Sequence, residues 1–580
     1  MKEYIVTLHN KEDLEDFYND METPGGDLYI PNRAVDLQLR RAISRNTHYM
    51  LTAEEALQLK EDSRVRAVEA KERILSTLDE YSGYEQSGPF DRDNFTPSSN
   101  DLNWGLYRHA IEDNALSGQW GWDHSNNTGN RTVSPSSYTI TASGKNVDVL
   151  IVDTVINTTV RNHPEFAVNS DGTGGTRVQH FNWFSLTNQL GYGSNGTYDY
   201  SDDGEWHGVH VAGTAAGNTQ GWARDANIYN IQPFGQNTGG SSPLDKTVLW
   251  DYIREWHNNK SINPETGKRN PTIANCSWAS FEGYFGGNWF PSSVNGDAVN
   301  GVGAMRYRGT IYDPWGDEGR DLTDAELEAR GIVVQSDGSW KIMAYDDAYN
   351  SDYEDAVADG IIIVTCAMNE SMKLTVSGDT DYNNIVYWRQ NNGDQYSGGA
   401  SFSNRPSSSA GGTFDNSILV GAIDVKSNER KASFSNCGNA VNIQGAGYGI
   451  ISAVTASEGT SSPSAFQDSR DSAYYQDKKS GTSMASPQVC GVLALLAESN
   501  PGLTQSEAVE WLEANGTNNA MYDTQADDTL DFESLQGAAN RILRWINQRP
   551  ETGMSFPKQN AKARPTSGRT YPRPRMRVRG

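Results

Sequence analysis

Cysteine is scarce in this chain, with four residues among 580. No pair of the four has the CxxC spacing of a zinc or redox motif, which argues against both kinds of site. Three disulfide pairings or none are open, and we expect buried free thiols because a free cysteine behaves as a small hydrophobe. The four are Cys276, Cys366, Cys437 and Cys490.

Long apolar segments are also missing. The sequence contains no run of 18 apolar residues, the length needed to cross a bilayer, so no membrane partner is expected. Met1 leads directly into a strand pattern, without the apolar core of a secretory signal. We therefore expect an intracellular or virion-associated protein rather than a classically secreted one.

Positive charge is deficient in most of the chain. The formal net charge of −26 argues against nucleic acids and anionic membranes as partners of the main body. Residues 548–580 are the exception, because nine Lys/Arg, one Glu and five prolines predict a basic, disordered tail. The tail is expected to have no role, or to contact an acidic partner, nucleic acid or the protein's own acidic body.

The most informative stretch is Gly-Thr-Ser-Met-Ala-Ser-Pro at 481–487, followed by the apolar run 489–496. It predicts a buried helix with Ser483 in its first turn and Pro487 also in the first turn, where a missing N–H costs nothing. A hydroxyl beside free N–H groups and a positive helix end suits a nucleophile whose oxyanion must be stabilised.

Two upstream motifs supply a base and a group to orient it. His207 begins a stretch rich in Gly and Ala that predicts a helix packed closely on a sheet. Asp153 follows the apolar run 147–152, a pattern typical of a buried parallel strand, and the carboxyl ends of such strands carry active sites. His210 is a competing candidate, which we interpret as a packing residue.

These three motifs resemble those of the subtilisin-like serine proteases (subtilases, peptidase S8), in the chain order Asp153, His207, Ser483. The resemblance covers roughly residues 104–500. It implies a serine endopeptidase in which Ser483 forms an acyl-enzyme, His207 moves the proton and Asp153 orients His207. Val155 and Val209 replace residues usual in the family, a glycine and a threonine.

Asn369, at the end of the apolar run 361–368, resembles the family asparagine whose amide joins the serine N–H in the oxyanion hole. Glycines normally flank it, whereas Met368 and Glu370 do so here, and we expect the Glu370 carboxylate to point outward. A second strand resembles the family's substrate-binding edge, where Trp278 and Ala279 are expected to reshape the pockets. Its residues are Asn275, Cys276, Ser277, Trp278 and Ala279.

Residues 1–80 show a β-α-β-β-α-β pattern of the ferredoxin-like type. The stretch 57–65 resembles the inhibitor-type propeptide of subtilases, which blocks the active site until it is removed; an unrelated α+β binding domain is the alternative. Residues 81–103 have linker composition, and the maturation bond is expected between about 72 and 103. The amino-acid sequence of the N-terminal segment resembles that of subtilases of large marine phages.

The predicted architecture is a three-layer α/β catalytic domain over 104–547 with a mainly parallel sheet. Segments 282–344 and 371–412 are insertions, either lids or surface decoration. The chemistry requires no cofactor, although family members often hold structural calcium, for which Asp199, Asp202 and Asp203 are candidate ligands. The alternatives are a catalytically silent structural module and a macrocyclase that transfers the acyl group to an amine.

Overall fold

A computed structural model describes most of the chain. The described residues are 2–30, 36–41, 43–70, 74–77, 102–110, 121–123, 128–130, 140, 142–191, 196–201, 205–233, 246–284, 293–294, 297–312, 323–328, 330, 333–334, 340–343, 347–390, 396–401, 417–425, 429–523 and 534–546. The predicted basic tail and most of the predicted linker lie outside these residues.

The N-terminal domain has the predicted ferredoxin-like order. Its strands pair antiparallel in the order β2-β3-β1-β4, and both helices pack on one face of the sheet. The predicted capping box holds the second helix, since Thr52 and Glu55 bond to each other's backbone N–H. The elements are β1 (Lys2–Leu8), α1 (Leu14–Glu22), β2 (Asp36–Leu39), β3 (Asn46–Leu51), α2 (Ala53–Leu59), β4 (Val65–Ala70) and β5 (Ile74–Thr77).

The remaining elements belong to the larger part of the chain. Its helices are α3 (Trp104–Ala110), α4 (Thr187–Leu190), α5 (His207–Ala216), α6 (Lys246–Asn259), α7 (Asp324–Glu328), α8 (Asp347–Ala358), α9 (Ala456–Ser461), α10 (Thr482–Ser499) and α11 (Gln505–Asn515). Short 3-10 turns lie at Lys11–Asp13, Val160–Asn162, Pro164–Phe166 and Trp183–Leu186.

The strands of this part follow in chain order. They are β6 (Gly121–Asp123), β7 (Thr128–Asn130), β8 (Asp148–Val152), β9 (Val178–Gln179), β10 (Asn227–Ile231), β11 (Thr272–Cys276), β12 (Trp278–Tyr284), β13 (Ser293–Val294), β14 (Asp297–Tyr307), β15 (Thr310–Tyr312), β16 (Val333–Val334), β17 (Trp340–Met343), β18 (Ile362–Cys366), β19 (Ile385–Gln390), β20 (Tyr396–Ser401), β21 (Ile418–Ile423), β22 (Ile443–Ala446), β23 (Ile450–Val454), β24 (Phe466–Gln467), β25 (Tyr475–Lys479), β26 (Thr517–Asn518) and β27 (Arg541–Ile542).

A nine-stranded sheet forms the centre of this part, in the order β26-β27-β22-β21-β18-β11-β8-β10-β9. All of its pairs are parallel except β26 with β27, so the predicted mainly parallel sheet is confirmed. Parallel strands buried on both faces are expected to be apolar throughout, and β8, β11, β18 and β21 are fully buried.

Each face of the sheet is covered by helices, which gives the predicted three layers. Along β8, Val149 and Ile151 join the cluster that contains α5 and α10, whereas Leu150 and Val152 join the cluster that contains α6 and α8. This alternation follows from the two-residue repeat of a strand. The carboxyl end of β8 therefore lies between two helical layers.

The two predicted insertions are partners of each other. Strand β14 of the first insertion pairs antiparallel with β19 of the second, and β20 extends the same sheet. Arg308 strengthens the connection because its Nε lies 2.6 Å from Asp381 Oδ1. The sequence pattern did not indicate this pairing, since the segments are separated by β18.

All four cysteines are buried free thiols, as predicted. Burial raises the pKa of the Cys276 thiol well above its usual value, which keeps the thiol protonated. Within the described residues, no helix combines the length and apolar character needed to span a bilayer.

Candidate active site

Asp153 and His207 are in direct contact. Asp153 follows β8, is fully buried, and its Oδ1 lies 2.7 Å from His207 Nδ1. The same oxygen accepts a 2.7 Å hydrogen bond from the Thr154 N–H, which holds the carboxylate in place. A carboxylate on Nδ1 favours the tautomer whose Nε2 can accept a proton. The two residues predicted from separate motifs are therefore brought together.

The turn after β8 also fixes the start of α5. The Thr154 Oγ1 accepts a 2.8 Å hydrogen bond from the Gly208 N–H, and a Cβ on Gly208 would lie 2.2 Å from the Thr154 carbonyl oxygen. Only glycine fits such a close approach. Sequence reasoning did not identify Thr154 and Gly208 as positioning residues, although each directly follows a predicted catalytic residue.

His210 is a packing residue, as interpreted from the sequence. It is fully buried, and its Nε2 faces the carbonyl oxygens of Ile450 (3.0 Å) and Asp477 (3.2 Å). Burial lowers the His210 pKa to about 3, so the ring stays neutral and bonded to the backbone. It is not positioned to replace His207 as a base.

Ser483 is the second residue of α10 and is 2% exposed. This agrees with the predicted first-turn position. The prediction for Pro487 was wrong, because it is the sixth residue of the helix and lies in the second turn. An interior proline lacks the N–H that would bond to the carbonyl four residues earlier, which here belongs to Ser483.

Ser277 supplies the hydrogen bond that Pro487 cannot make. Its Oγ donates to the Ser483 carbonyl oxygen at 3.1 Å, and the Ser483 Oγ donates to the Ser277 carbonyl oxygen at 3.2 Å. Asn275 Nδ2 donates to the Ser277 hydroxyl at 2.9 Å. Ser277 thus fixes the carbonyl of the candidate nucleophile against the end of β11.

Asn369 lies beside the start of α10. Its Oδ1 accepts hydrogen bonds from the Thr482 N–H (2.8 Å) and the Thr482 Oγ (2.9 Å). With the amide oxygen held in this way, the NH₂ group is turned away from Thr482. A Cβ on Gly481 would lie 3.5 Å from Asn369 Nδ2, which places this amide next to the residues that precede Ser483.

The residues that flank Asn369 differ in their backbone conformation. Met368 has φ of +81°, in the left-handed region that favours glycine, whereas Glu370 does not have a positive φ. The Met368 side chain is fully buried, and the Met368 backbone N–H donates to Thr482 Oγ1 at 2.9 Å. The Glu370 carboxylate accepts the Asn369 N–H at 3.0 Å and so folds back onto its own loop.

The predicted substrate-binding edge continues from β11 into β12. Its backbone pairs antiparallel with β5 of the N-terminal domain, with Trp278 opposite Thr77 and Ala279 opposite Ser76. An extended segment therefore occupies this edge, in the manner of β-augmentation. The Trp278 side chain is fully buried in the cluster with α6 and α8.

One of the three candidate calcium ligands, Asp199, lies within the described residues. Its Oδ1 accepts the Ser201 N–H at 2.8 Å, whereas Asp202 and Asp203 lie outside the part of the chain that the structure describes. Among the described residues, no group of three or more His, Cys, Asp or Glu is arranged to hold a metal ion. A structural calcium site therefore stays a prediction.

Comparison with known proteins decides the family. A family model described as the subtilase family matches residues 144–537, which include all four candidate catalytic residues. The chain belongs to the subtilase family. The match begins just before β8 and extends past α11, so this subtilase carries its N-terminal domain outside the matched region.

Individual relatives are distant. A thermophilic serine proteinase from Bacillus sp. (strain AK1) is 33% identical over 144 residues, which make up 24% of this subtilase and 31% of that protein. The chain thus matches about a third of the length of this curated relative.

Two solved structures are similar at low identity. Fervidolysin from Fervidobacterium pennivorans, a keratinolytic enzyme related to subtilisin, is 16% identical with a TM-score of 0.44, covering 94% of this chain and 60% of its own. The epidermin leader peptide processing serine protease from Staphylococcus aureus is 14% identical with a TM-score of 0.46. The match covers 93% of this chain and 96% of that protein's chain.

Proposed function

We propose that this subtilase is a serine endopeptidase that hydrolyses polypeptides through an acyl-enzyme on Ser483. The observation that carries the proposal is the 2.7 Å contact between Asp153 and His207. Asp153 follows β8, and Ser483 bonds to Ser277 just after the neighbouring parallel strand β11, at the same edge of the sheet. In this mechanism His207 removes the Ser483 proton and later returns it to the leaving amine. Asp153 keeps His207 in the required tautomer and stabilises the imidazolium.

Stabilisation of the oxyanion is assigned to Asn369 and the Ser483 N–H. The hydrogen bonds from Thr482 occupy the amide oxygen of Asn369, which leaves the NH₂ group available as the donor. The Ser483 N–H is at the second position of α10, where backbone N–H groups have no partner within the helix. Two donors fixed before the reaction begins are the arrangement that lowers the barrier of acyl transfer.

The N-terminal domain is proposed to be a propeptide that inhibits the enzyme within the same chain. Its buried Arg41 contacts Asp251 of α6 at 2.5 Å and Asp352 of α8 at 3.3 Å. Ser44 and Asn46 also donate to Asp352, at 2.7 and 2.9 Å. This buried polar contact orients the domain on the two helices that cover one face of the sheet.

The pairing of β5 with β12 supports self-processing. Trp278 lies opposite Thr77, and the preceding residue, Ser277, has its carbonyl 3.2 Å from the Ser483 Oγ. Strand β5 therefore runs toward the candidate nucleophile. We expect maturation to cut within a few residues after Thr77, at the early end of the range that the sequence allows.

A fluorophosphonate probe tests the assignment of Ser483 without knowledge of the natural substrate. The probe phosphonylates activated serines, so processed wild type should acquire one adduct, located at Ser483 by peptide mapping. Ser483→Ala and His207→Ala should acquire none. Labelling of Ser483→Ala at the wild-type rate would refute the assignment.

The products of peptide cleavage separate hydrolysis from transfer to an amine. A peptide substrate incubated in water enriched in ¹⁸O should give products whose new carboxylates carry the label. Cyclic or ligated products without ¹⁸O would identify a macrocyclase instead. A wild type that neither cleaves peptides nor reacts with the probe, even after its N-terminal domain is removed, would favour a structural module.

A further inference from the structure

We propose that Asn436 is a positioning residue for the oxyanion hole, an inference that rests on the proposed function. Asn436 lies in the loop before β22, is fully buried, and touches the loop that carries Asn369 through both its backbone and its side chain. Its role is to hold residues 368–372 in the shape that presents the Asn369 amide.

Four hydrogen bonds join Asn436 to this loop. Its backbone N–H donates to the Met368 carbonyl at 2.9 Å. Its Oδ1 accepts the N–H groups of Glu370 at 3.0 Å and Met372 at 2.8 Å. Its Nδ2 donates to the Glu370 carboxylate at 3.5 Å. Asn436 therefore binds the loop on both sides of Asn369, with its backbone bonded to Met368 before it and its side chain bonded to Glu370 and Met372 after it.

The loop needs such an anchor because its backbone is strained. Met368 has φ of +81° and Ser371 has φ of +58°, and both are non-glycine residues in the left-handed region. Such conformations persist only where the surroundings determine them. The Ser371 N–H also donates to the Phe434 carbonyl at 2.9 Å, so the same neighbouring loop supports both strained positions.

This arrangement explains how a subtilase can place methionine and glutamate beside the oxyanion asparagine. The Glu370 carboxylate is held between the Asn369 N–H and Asn436 Nδ2, at 3.0 and 3.5 Å. Removal of the Asn436 amide should release both the carboxylate and the loop backbone. The Asn369 amide would then spend less time in the geometry that the transition state requires.

A double-mutant cycle between Asn436 and Asn369 tests this role. We expect Asn436→Ala to lower kcat by at least about tenfold, and by no more than the roughly 100- to 1000-fold loss that removal of an oxyanion donor itself causes. KM should change by less than about threefold, because β12 binds the substrate independently of this loop. In an Asn369→Ala background, Asn436→Ala should change kcat less than about twofold, since it acts through Asn369.

Asn442→Ala is the matched control. Asn442 also bonds two backbone groups, accepting the Leu419 N–H at 3.0 Å and donating to the Ser417 carbonyl at 2.5 Å, and neither belongs to the loop 368–372. It should lower stability by a similar amount and leave kcat within about twofold of wild type. If Asn436→Ala does not fold, Asn436→Ser serves in the same cycle.

Two outcomes would overturn the proposal. One is a kcat for the Asn436 variant within twofold of an active wild type. The other is a loss of kcat in the double variant that equals the product of the losses in the two single variants, which would indicate a general structural role. A wild type without hydrolytic activity would instead refute the proposed function and this role with it.

Discussion

The hydroxyl of Ser277 donates a hydrogen bond to the Ser483 carbonyl oxygen, the acceptor that Pro487 leaves without an N–H partner in α10. A proline inside a helix normally costs about 3 kcal/mol, partly through this missing bond. Here Ser277, at the end of β11, supplies the bond. The position of the candidate nucleophile is thereby coupled to the edge that is predicted to bind the substrate.

We expect Ser277→Ala to destabilise the protein by about 1–3 kcal/mol, the cost of a buried carbonyl without a partner. Denaturant unfolding in the Ser483→Ala background, which we expect to lack self-cleavage, measures this cost. Pro487→Ala restores an N–H at position 487, so Ser277→Ala should cost less in that background. An equal cost in both backgrounds would contradict the coupling.

Asp153→Asn should lower kcat by about 10⁴-fold, because an amide at this position favours the wrong tautomer of His207. Steady-state hydrolysis of a peptide substrate measures the loss. Asp148→Asn is the control, since Asp148 begins the same strand and pairs with Lys260 at 2.9 Å, away from His207. The control should change stability but not the kcat of the folded enzyme, and equal losses in kcat would contradict the assignment.

Gly208→Ala should displace the start of α5, because its Cβ would lie 2.2 Å from the Thr154 carbonyl oxygen. Overpacking of this kind typically costs about 1–3 kcal/mol, and the shift of His207 should lower kcat as well. Gly502→Ala is the control, since its Cβ would meet nothing closer than 3.9 Å. Thermal unfolding and kinetics that do not distinguish the two variants would refute this effect.

Docking of the N-terminal domain should weaken as the pH rises. Burial, with a smaller contribution from Asp251, raises the pKa of Asp352 to about 7 from its ordinary 3.8, against the opposing effect of Arg41. The docked state therefore binds the additional proton, and docking is strongest below the pKa of the undocked carboxyl. The affinity of the N-terminal domain for the larger part of the chain should fall between about pH 4 and pH 7, by at most about tenfold per pH unit, and then level off.

The rate of domain release after processing, measured from pH 4 to pH 9, tests this dependence. Other charged groups at the contact are Arg45, Arg66, Arg254, Asp251, Glu354 and Asp355. Asp352→Asn removes the titrating carboxyl but keeps a polar side chain, so it should flatten the profile. A profile with the same slope in Asp352→Asn would assign the dependence to another group.

Much of the fold was predictable because its signals are local. The apolar run before Asp153 predicts a buried strand, and the alternation of elements in residues 1–70 predicts the ferredoxin-like order that the structure has. The fold then places Asp153 against His207, which the order of the motifs indicated. The assignment of catalytic roles to these residues stays a prediction until the variants are measured.

The supporting contacts were not predictable because they join distant parts of the chain. Ser277 and Ser483 are 206 residues apart, and Asn436 and Glu370 are 66 apart. The prediction for Pro487 was wrong because it lies four residues after Ser483, which is more than the 3.6 residues of one turn, so the first turn could not hold both. The pairing of the two insertions likewise depends on strands whose partners no local pattern identifies.

Intact-mass spectrometry of purified wild type and Ser483→Ala, produced side by side in a host that does not cleave the inactive chain, tests the central claim most directly. We predict that the wild type alone loses its N-terminal domain, with a new terminus within a few residues after Thr77. Loss of the same segment from Ser483→Ala would contradict self-processing by Ser483. Retention of the full length by both proteins, under conditions that include added calcium and a range of pH, would contradict the zymogen account.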